Sequence, residues 1–154
     1  MLARGAAPVI LSGLARIARQ RGLVLLVGGD GRAALACRAG LHLPDRVAAR
    51  GLLPFLLARR AGAPWALLTA AVHGRAGIAR ARRLRVDMGI VSPAFPTESH
   101  PGAPALGPLR WAALAARLGR PAVALGGVSA RSAGRLPPRA VSGFAAIGAL
   151  RGSA

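Results

Sequence analysis

Short apolar runs alternate along the chain with longer segments in which apolar residues and arginines recur at helical spacing. Most of the short runs are continuously apolar, which is typical of parallel strands buried on both faces. They predict six strands, at residues 22–29, 40–44, 65–73, 87–93, 121–127 and 142–150. The segments between them predict helices at 9–20, 31–38, 46–60 (interrupted by Pro54), 75–84, 107–118 and 129–135.

The fifth of these helices also has a predicted buried face. Leu109, Ala112, Ala113, Leu114, Ala116 and Leu118 form the apolar set. Arg110, Arg117 and Arg120 are expected to face water.

Repeated strand–helix order predicts an α/β fold with a parallel sheet and right-handed crossovers. Both a doubly wound open sheet and a TIM (β/α)8-type barrel have this order. Polar residues gather where the predicted strands end, and barrel active sites lie at the carboxyl ends of the strands. Open sheets also place ligands there, so the pattern favours a barrel without excluding the alternative. The length of 154 residues predicts a single domain over 1–154.

The charge is unusually one-sided, because every one of the 22 basic residues is arginine and the net charge is +18. Such a charge is typical of nucleic-acid binding. Here, however, the arginines are spread over every predicted helix, tyrosine is absent, and few aromatic residues are available for base stacking. Nucleic acid is therefore not the expected partner.

Two further features concern the compartment. No apolar run reaches the roughly 18 residues expected of a membrane span, so we expect no membrane partner. Cys37 is the only cysteine, which excludes an intrachain disulfide and fits a cytoplasmic location.

The densest group of polar side chains is the stretch SPAFPTESHPGAPALG, residues 92–107, between a predicted strand and a predicted helix. Hydroxyl and N–H groups in such a loop suit phosphate oxygens, although Ser92, Thr97 and Ser99 could equally satisfy the loop backbone. A second candidate is LGGVSARS, residues 125–132, where two glycines precede a helix opening at Ser129. Backbone N–H groups there could approach a phosphate, or the glycines could form an ordinary tight turn.

Taken together, these segments resemble the thiamine phosphate synthase family and its relative, the thiazole tautomerase. The matching pieces are GLHLP (40–44), VH (72–73), DMGIVSPAFPTESH (87–100), LG (106–107), PAVALGGVS (121–129) and GFAAIGAL (143–150). The resemblance implies a TIM (β/α)8-type barrel and a transferase of thiamine biosynthesis. That enzyme joins hydroxymethylpyrimidine diphosphate to thiazole phosphate and releases pyrophosphate.

The resemblance also implies roles for individual residues and for a metal. Pyrophosphate contacts fall on Ser92, Thr97, Ser99 and His100, with His100 as the catalytic candidate. Thiazole-phosphate contacts fall on Gly126, Gly127, Ile147 and Gly148, through backbone N–H groups. The family uses Mg²⁺, and Asp45 is the nearest candidate ligand here. The implied partners are phosphorylated pyrimidine and thiazole molecules.

Several positions depart from the family pattern. Val47 stands where the family has its magnesium-binding Asp, and His100 stands where it has a Lys. Ala71 replaces a Ser at the end of a strand. The six predicted strands match the family's third to eighth, so its first two strands are expected to be missing. The chain could be a fragment, could complete its barrel from another chain as a homo-oligomer, or could be a degenerate member.

These departures leave function open among different classes. A synthase-like transferase is the leading hypothesis, and a non-catalytic or regulatory relative that binds phosphorylated ligands is the alternative. A tautomerase-like isomerase is disfavoured, because Ser92 replaces the histidine of that relative and a hydroxyl is a poor proton shuttle near neutral pH. His42 and His73 each end a predicted strand, where a structural and a functional role are equally expected.

Overall fold

In a computed structural model, the chain is described for residues 1–45, 47–97, 102 and 104–146. It divides into two compact units, Met1–Thr69 and Ala70–Ala154, and the division falls inside a strand. The prediction of one domain over 1–154 therefore stays a prediction.

The first unit begins with a short strand that the sequence pattern did not predict. Its elements are β1 Leu2–Arg4, α1 Pro8–Gln20, β2 Leu26–Gly28, α2 Gly31–Cys37, β3 Gly40–Leu43, α3 Leu52–Arg60 and the start of β4 Leu68–Val72. β1 pairs in parallel with β2, and β2 pairs in parallel with β3. The N–H of Leu41 donates to the carbonyl oxygen of Leu67 (2.8 Å), which joins β3 to the residue before β4.

Local signals explain where the helices of this unit begin. Pro8 starts α1, a position where the missing N–H costs nothing. The carboxylate of Asp30 accepts a hydrogen bond from the N–H of Ala33 (3.0 Å) and caps α2. Leu11, Ala15 and Ala18 face the core from α1, at the spacing of one helix face.

The second unit continues the same alternation from the end of β4. Its elements are α4 Arg75–Arg83, β5 Met88–Val91, α5 Gly107–Leu118, β6 Ala122–Ala124, α6 Ala130–Ala133 and β7 Gly143–Phe144. β5 pairs in parallel with β6, and β6 pairs in parallel with β7. Trp111, Ala115 and Leu118 are the buried residues of α5.

The predicted fold class is confirmed. Strands and helices alternate throughout the described residues, and consecutive strands pair in parallel in chain order. Repeated βα units of this kind are the building pattern of a TIM-type barrel. None of the helices in the described ranges has the length and apolar character needed to cross a membrane.

Several predicted boundaries are corrected. The described residues contain seven strands instead of six. The additional strand, residues 2–4, forms by backbone pairing with β2, and no apolar run in the sequence predicts it. The helix predicted over 46–60 begins only at Leu52, so Pro54 lies in its first turn, where proline is tolerated, and does not interrupt it. The strand predicted over 142–150 is assigned only at Gly143–Phe144, and residues 147–150 lie outside the described part.

The buried face of α5 also differs from its prediction. Leu109 is 84% exposed, whereas Trp111 is completely buried. Alanine and leucine occur on every side of this helix, so periodicity alone does not distinguish the faces. The prediction for Arg110, Arg117 and Arg120 is confirmed, since all three are exposed.

Candidate phosphate-binding site

The carboxyl ends of three strands of the second unit lie side by side. The N–H of Ser92, just after β5, donates to the carbonyl oxygen of Val72 at the end of β4 (3.1 Å). The N–H of Leu125, just after β6, donates to the carbonyl oxygen of Val91 at the end of β5 (3.1 Å). Residues that follow these strands therefore share one edge of the sheet, where ligands of α/β proteins bind.

The loop after β5 is firmly attached where it leaves the strand. The N–H groups of Ala94 and Phe95 donate to the carbonyl oxygens of Leu125 (2.8 Å) and Gly126 (3.0 Å). The N–H of Gly107, at the start of α5, returns to the carbonyl oxygen of Ala94 (3.0 Å). Ala94 and Phe95 are also buried. The first part of the polar loop is thus packed on the turn after β6 and is not a structureless linker.

That turn is built from Gly126 and Gly127, both of which the sequence singled out. Their φ angles are +89° and +62°, a region that glycine enters without strain. A Cβ at Gly126 would lie 2.8 Å from Cβ of Pro93, and one at Gly127 would overlap the carbonyl oxygen of Pro96. Both the backbone conformation and the close approach of the loop therefore require glycine.

The two glycines also present donors. Within the described residues, the N–H groups of Gly126 and Gly127 make no hydrogen bond. Two successive N–H groups in a glycine turn form the kind of concavity that accepts an anion. The turn can therefore hold a phosphate or a carboxylate oxygen.

The helix after this turn is shorter than predicted. α6 has only four residues, Ala130–Ala133, instead of the predicted 129–135. Ser129 is its N-cap and forms a capping box with Ser132, whose hydroxyl also donates to the carbonyl oxygen of Gly127 (2.9 Å). A single turn has a small dipole, so a role in anion binding is predicted for the glycine N–H groups and not for the helix.

His73 and Ser92 form a contact that the sequence analysis missed. Nδ1 of His73 lies 2.8 Å from the carbonyl oxygen of Ser92 and 3.3 Å from its Oγ. His73 is exposed, while Ser92 is buried. Each residue directly follows the last residue of a neighbouring strand, Val72 and Val91. The signal in the sequence that could have predicted this contact is that both residues occupy the first position after a strand, on two strands that are neighbours in a parallel sheet.

A structural and a functional role are equally expected for His42 from the sequence, and its surroundings in the structure support the structural one. It is only 2% exposed and lies on β3, whose residues are all buried. Its Nδ1 is 2.9 Å from Oγ1 of Thr69. A buried imidazole paired with a buried hydroxyl satisfies the polar requirement of the core.

The described carboxylates do not gather into a cluster of metal ligands. Asp45, the predicted ligand, follows β3 and is half-buried, and Val47 is 60% exposed. Asp30 caps α2 with its carboxylate. Among the described residues, no three of His, Cys, Asp and Glu lie close enough to share a metal ion. Mg²⁺ is usually bound through one or two carboxylates together with substrate phosphates, so the assignment of Asp45 as its ligand stays a prediction.

The other predicted site residues have mixed outcomes. Thr97 is described and half-buried. Ser99, His100, Ile147 and Gly148 lie outside the described residues. The structure thus brings together Ser92, Gly126 and Gly127 at one edge, and the ligand contacts of all the predicted residues stay predictions.

Comparisons with known proteins agree with this fold. The family model described as thiamine monophosphate synthase matches residues 9–150. A thiamine phosphate pyrophosphorylase from Pyrococcus furiosus superposes with a TM-score of 0.71 at 20% identity, covering 95% of this chain and 70% of that one. A glycerol uptake operon antiterminator-related protein from Thermotoga maritima superposes with a TM-score of 0.60 at 18% identity, covering 95% and 82%.

The structural likenesses, at these low identities, show the fold alone. No protein of curated function matches the sequence significantly. The family model, in contrast, spans 142 residues of this chain, nearly its whole length. The chain therefore belongs to the thiamine monophosphate synthase family.

Proposed function

We propose that the second unit binds phosphorylated precursors of thiamine. The observation that carries the proposal is the glycine turn after β6, because Gly126 and Gly127 present two unused N–H groups within the described residues. In this proposal the turn binds the phosphate of the thiazole, together with Ile147 and Gly148. The loop after β5 supplies Thr97, Ser99 and His100 to the pyrophosphate.

The chemistry of such a site is electrostatic. When pyrophosphate leaves the pyrimidine methylene, the bond to the leaving oxygen breaks and the thiazole nitrogen forms the new bond. Hydrogen-bond donors placed where negative charge develops stabilise the transition state. Backbone N–H groups fixed by the packing of Pro93 on Gly126 are placed before the ligand arrives, so they need no rearrangement.

Calorimetry with thiazole phosphate and thiazole alcohol tests the proposed binding. We expect the phosphate ester to bind at least about tenfold more tightly, since charge-assisted hydrogen bonds contribute about 1.5–3 kcal/mol each. Thr97→Ala is expected to keep this preference and to weaken binding of pyrophosphate, because the proposal assigns Thr97 to the pyrophosphate. Ser142→Ala is the control, because the Ser142 hydroxyl accepts from the N–H of Ala122 at the start of β6. Equal affinity for ester and alcohol would contradict the proposal.

A non-catalytic role is the second candidate function, and Val47 at the family's metal position is the observation that favours it. Bound metals supply several kcal/mol of charge stabilisation in phosphate chemistry, and a valine at this position supplies no carboxylate to a metal ion. Phosphate binding does not depend on such a carboxylate. A chain that binds both ligands without joining them is the expected form of this alternative.

Turnover with both substrates in magnesium separates the two candidates. We expect this chain to be at least about 100-fold slower than the Pyrococcus furiosus enzyme, because each 1.36 kcal/mol of lost stabilisation costs a factor of ten. Val47→Asp, which restores a carboxylate at the family's metal position, is expected to raise the rate. Turnover equal to that of the comparison enzyme would show that the wild-type carboxylates suffice.

A further inference from the structure

One ring nitrogen of His73 is held by the protein, and the other is open. Nδ1 lies 2.8 Å from the carbonyl oxygen of Ser92. A carbonyl oxygen can only accept, so Nδ1 carries the proton and Nε2 carries the lone pair in the neutral ring. The Ser92 hydroxyl, 3.3 Å from the same nitrogen, reinforces this orientation.

The other ring nitrogen, Nε2, has no hydrogen-bond partner among the described residues. Ser92 is only 7% exposed. The imidazole is therefore attached through Nδ1 to a buried residue, although the His73 side chain as a whole is exposed.

A continuous set of contacts joins His73 to the glycine turn. Ser92, which holds the imidazole, is followed by Pro93, and Pro93 packs so closely on Gly126 that a Cβ there would be 2.8 Å away. The carbonyl oxygen of Pro93 also accepts from the N–H of Leu106 (3.0 Å). The imidazole and the glycine N–H groups are therefore positioned by the same short segment.

We propose that Nε2 of His73 is a phosphate-binding group of this edge. A phosphate monoester that arrives as a monoanion transfers its proton to Nε2, so that the O–H bond breaks, an N–H bond forms and the electron pair stays on the phosphate oxygen. The product is an imidazolium paired with a phosphate dianion. The carbonyl oxygen of Ser92 stabilises the imidazolium through the Nδ1 proton. This inference rests on the proposed function, since it adds a side chain to the same ligand site.

Other cations near this edge are arginines on the neighbouring helices. Arg75 begins α4, and Arg131 lies in α6; both are exposed. Arg135 stacks over the ring of Phe95, with its guanidinium carbon 5.4 Å from the ring centroid. The described loop residues 93–97 contain no charged side chain. His73 contacts Ser92 directly, through Nδ1.

Two substitutions separate the two nitrogens. His73→Asn retains an amide N–H near the position of Nδ1 and removes Nε2, whereas His73→Gln retains an amide near the position of Nε2. We expect His73→Asn to weaken binding of thiazole phosphate and of inorganic phosphate about tenfold, the value of one charge-assisted hydrogen bond. Its urea midpoint should stay close to that of wild type, because the bond to Ser92 is kept. His73→Gln should recover part of the affinity.

Nitrogen NMR of the imidazole gives a readout that a purely structural role would not move. At a pH at which the imidazole of the free protein is neutral, the Nε2 resonance should have the shift of an unprotonated nitrogen, and it should be absent from His73→Asn. Saturating inorganic phosphate at constant pH should move it to the shift of a protonated nitrogen. An unmoved resonance, or wild-type phosphate affinity in His73→Asn, would overturn the inference.

The two ligands distinguish failure of the inference from failure of the proposed function. If wild type prefers thiazole phosphate to the alcohol and His73→Asn does the same with equal affinity, only the inference fails. If thiazole phosphate is not preferred but His73→Asn still loses affinity for inorganic phosphate, the proposed function fails and the inference is supported. If wild type binds neither phosphate, both are overturned.

Discussion

Gly127→Ala is expected to destabilise the second unit by about 2–5 kcal/mol and to abolish phosphate binding at the turn after β6. The left-handed conformation, φ +62°, costs an alanine about 1–2 kcal/mol. Overpacking adds about 1–3 kcal/mol, because the new Cβ would overlap the carbonyl oxygen of Pro96 and lie 2.8 Å from Cβ of Phe95. The loop after β5 would have to move away, and the turn would lose the packing that fixes the N–H groups of Gly126 and Gly127. Urea unfolding and calorimetry with thiazole phosphate measure the two effects.

Gly119→Ala is the matched control. Gly119 ends α5 with nearly the same φ, +64°, but the nearest atom to its added Cβ is a terminal nitrogen of Arg82 at 3.6 Å. This variant should therefore lose only the conformational part, about 1–2 kcal/mol, and should keep wild-type phosphate affinity. If both variants lose the same stability and both still bind phosphate, the packing of the loop on Gly127 does not position the site.

Trp111→Ala is expected to cost about 3–5 kcal/mol, the range for truncating a large buried aromatic residue. Trp111 is completely buried on α5, and its indole N–H donates to the carbonyl oxygen of Val91 (3.1 Å). Val91 ends β5 and immediately precedes Ser92. The substitution should therefore lower both the free energy of unfolding and the affinity for phosphate, by loosening the strand end that carries the loop.

Two variants test which part of Trp111 matters. Trp111→Phe keeps much of the volume but leaves the carbonyl oxygen of Val91 with the N–H of Leu125 as its one remaining donor among the described residues, so we expect a loss of about 1–2 kcal/mol. Trp65→Ala is the comparison outside this unit. Trp65 is only half-buried, with its ring edge-on to Phe55 at 6.4 Å between centroids. A Trp111→Ala loss no larger than that of Trp65→Ala would show that Trp111 does not anchor β5.

Some elements followed from local sequence because their signals are local. The strands at β3 to β6 correspond to continuous apolar runs, and α1, α2, α4 and α5 begin within one residue of their predicted starts. The adjacent glycines 126 and 127 before Ser129 predict either a phosphate cradle or an ordinary tight turn, and both interpretations include a turn followed by a helix start. Their positive φ angles and the capping box at Ser129 confirm the turn and the start, although the ligand stays a prediction.

Other features depend on residues far apart in the chain, and no local pattern contains them. Strand β1 exists because β2 offers it parallel backbone partners. The roles of His42 and His73 were equally open in the sequence, since each ends a strand. The structure buries His42 against Thr69 and leaves His73 exposed with one nitrogen held by Ser92.

The sequence by itself determined the alternation of strands and helices, the glycine turn and the solvent-facing arginines, because apolar runs, glycine and charge act over a few neighbouring residues. Only the tertiary structure decided which face of α5 is buried. This helix is rich in alanine and leucine on all sides, so several faces satisfy the helical period equally. Trp111 is buried and Leu109 is exposed, because the indole reaches the end of β5. Its N–H donates to the carbonyl oxygen of Val91, which lies 20 residues earlier in the chain.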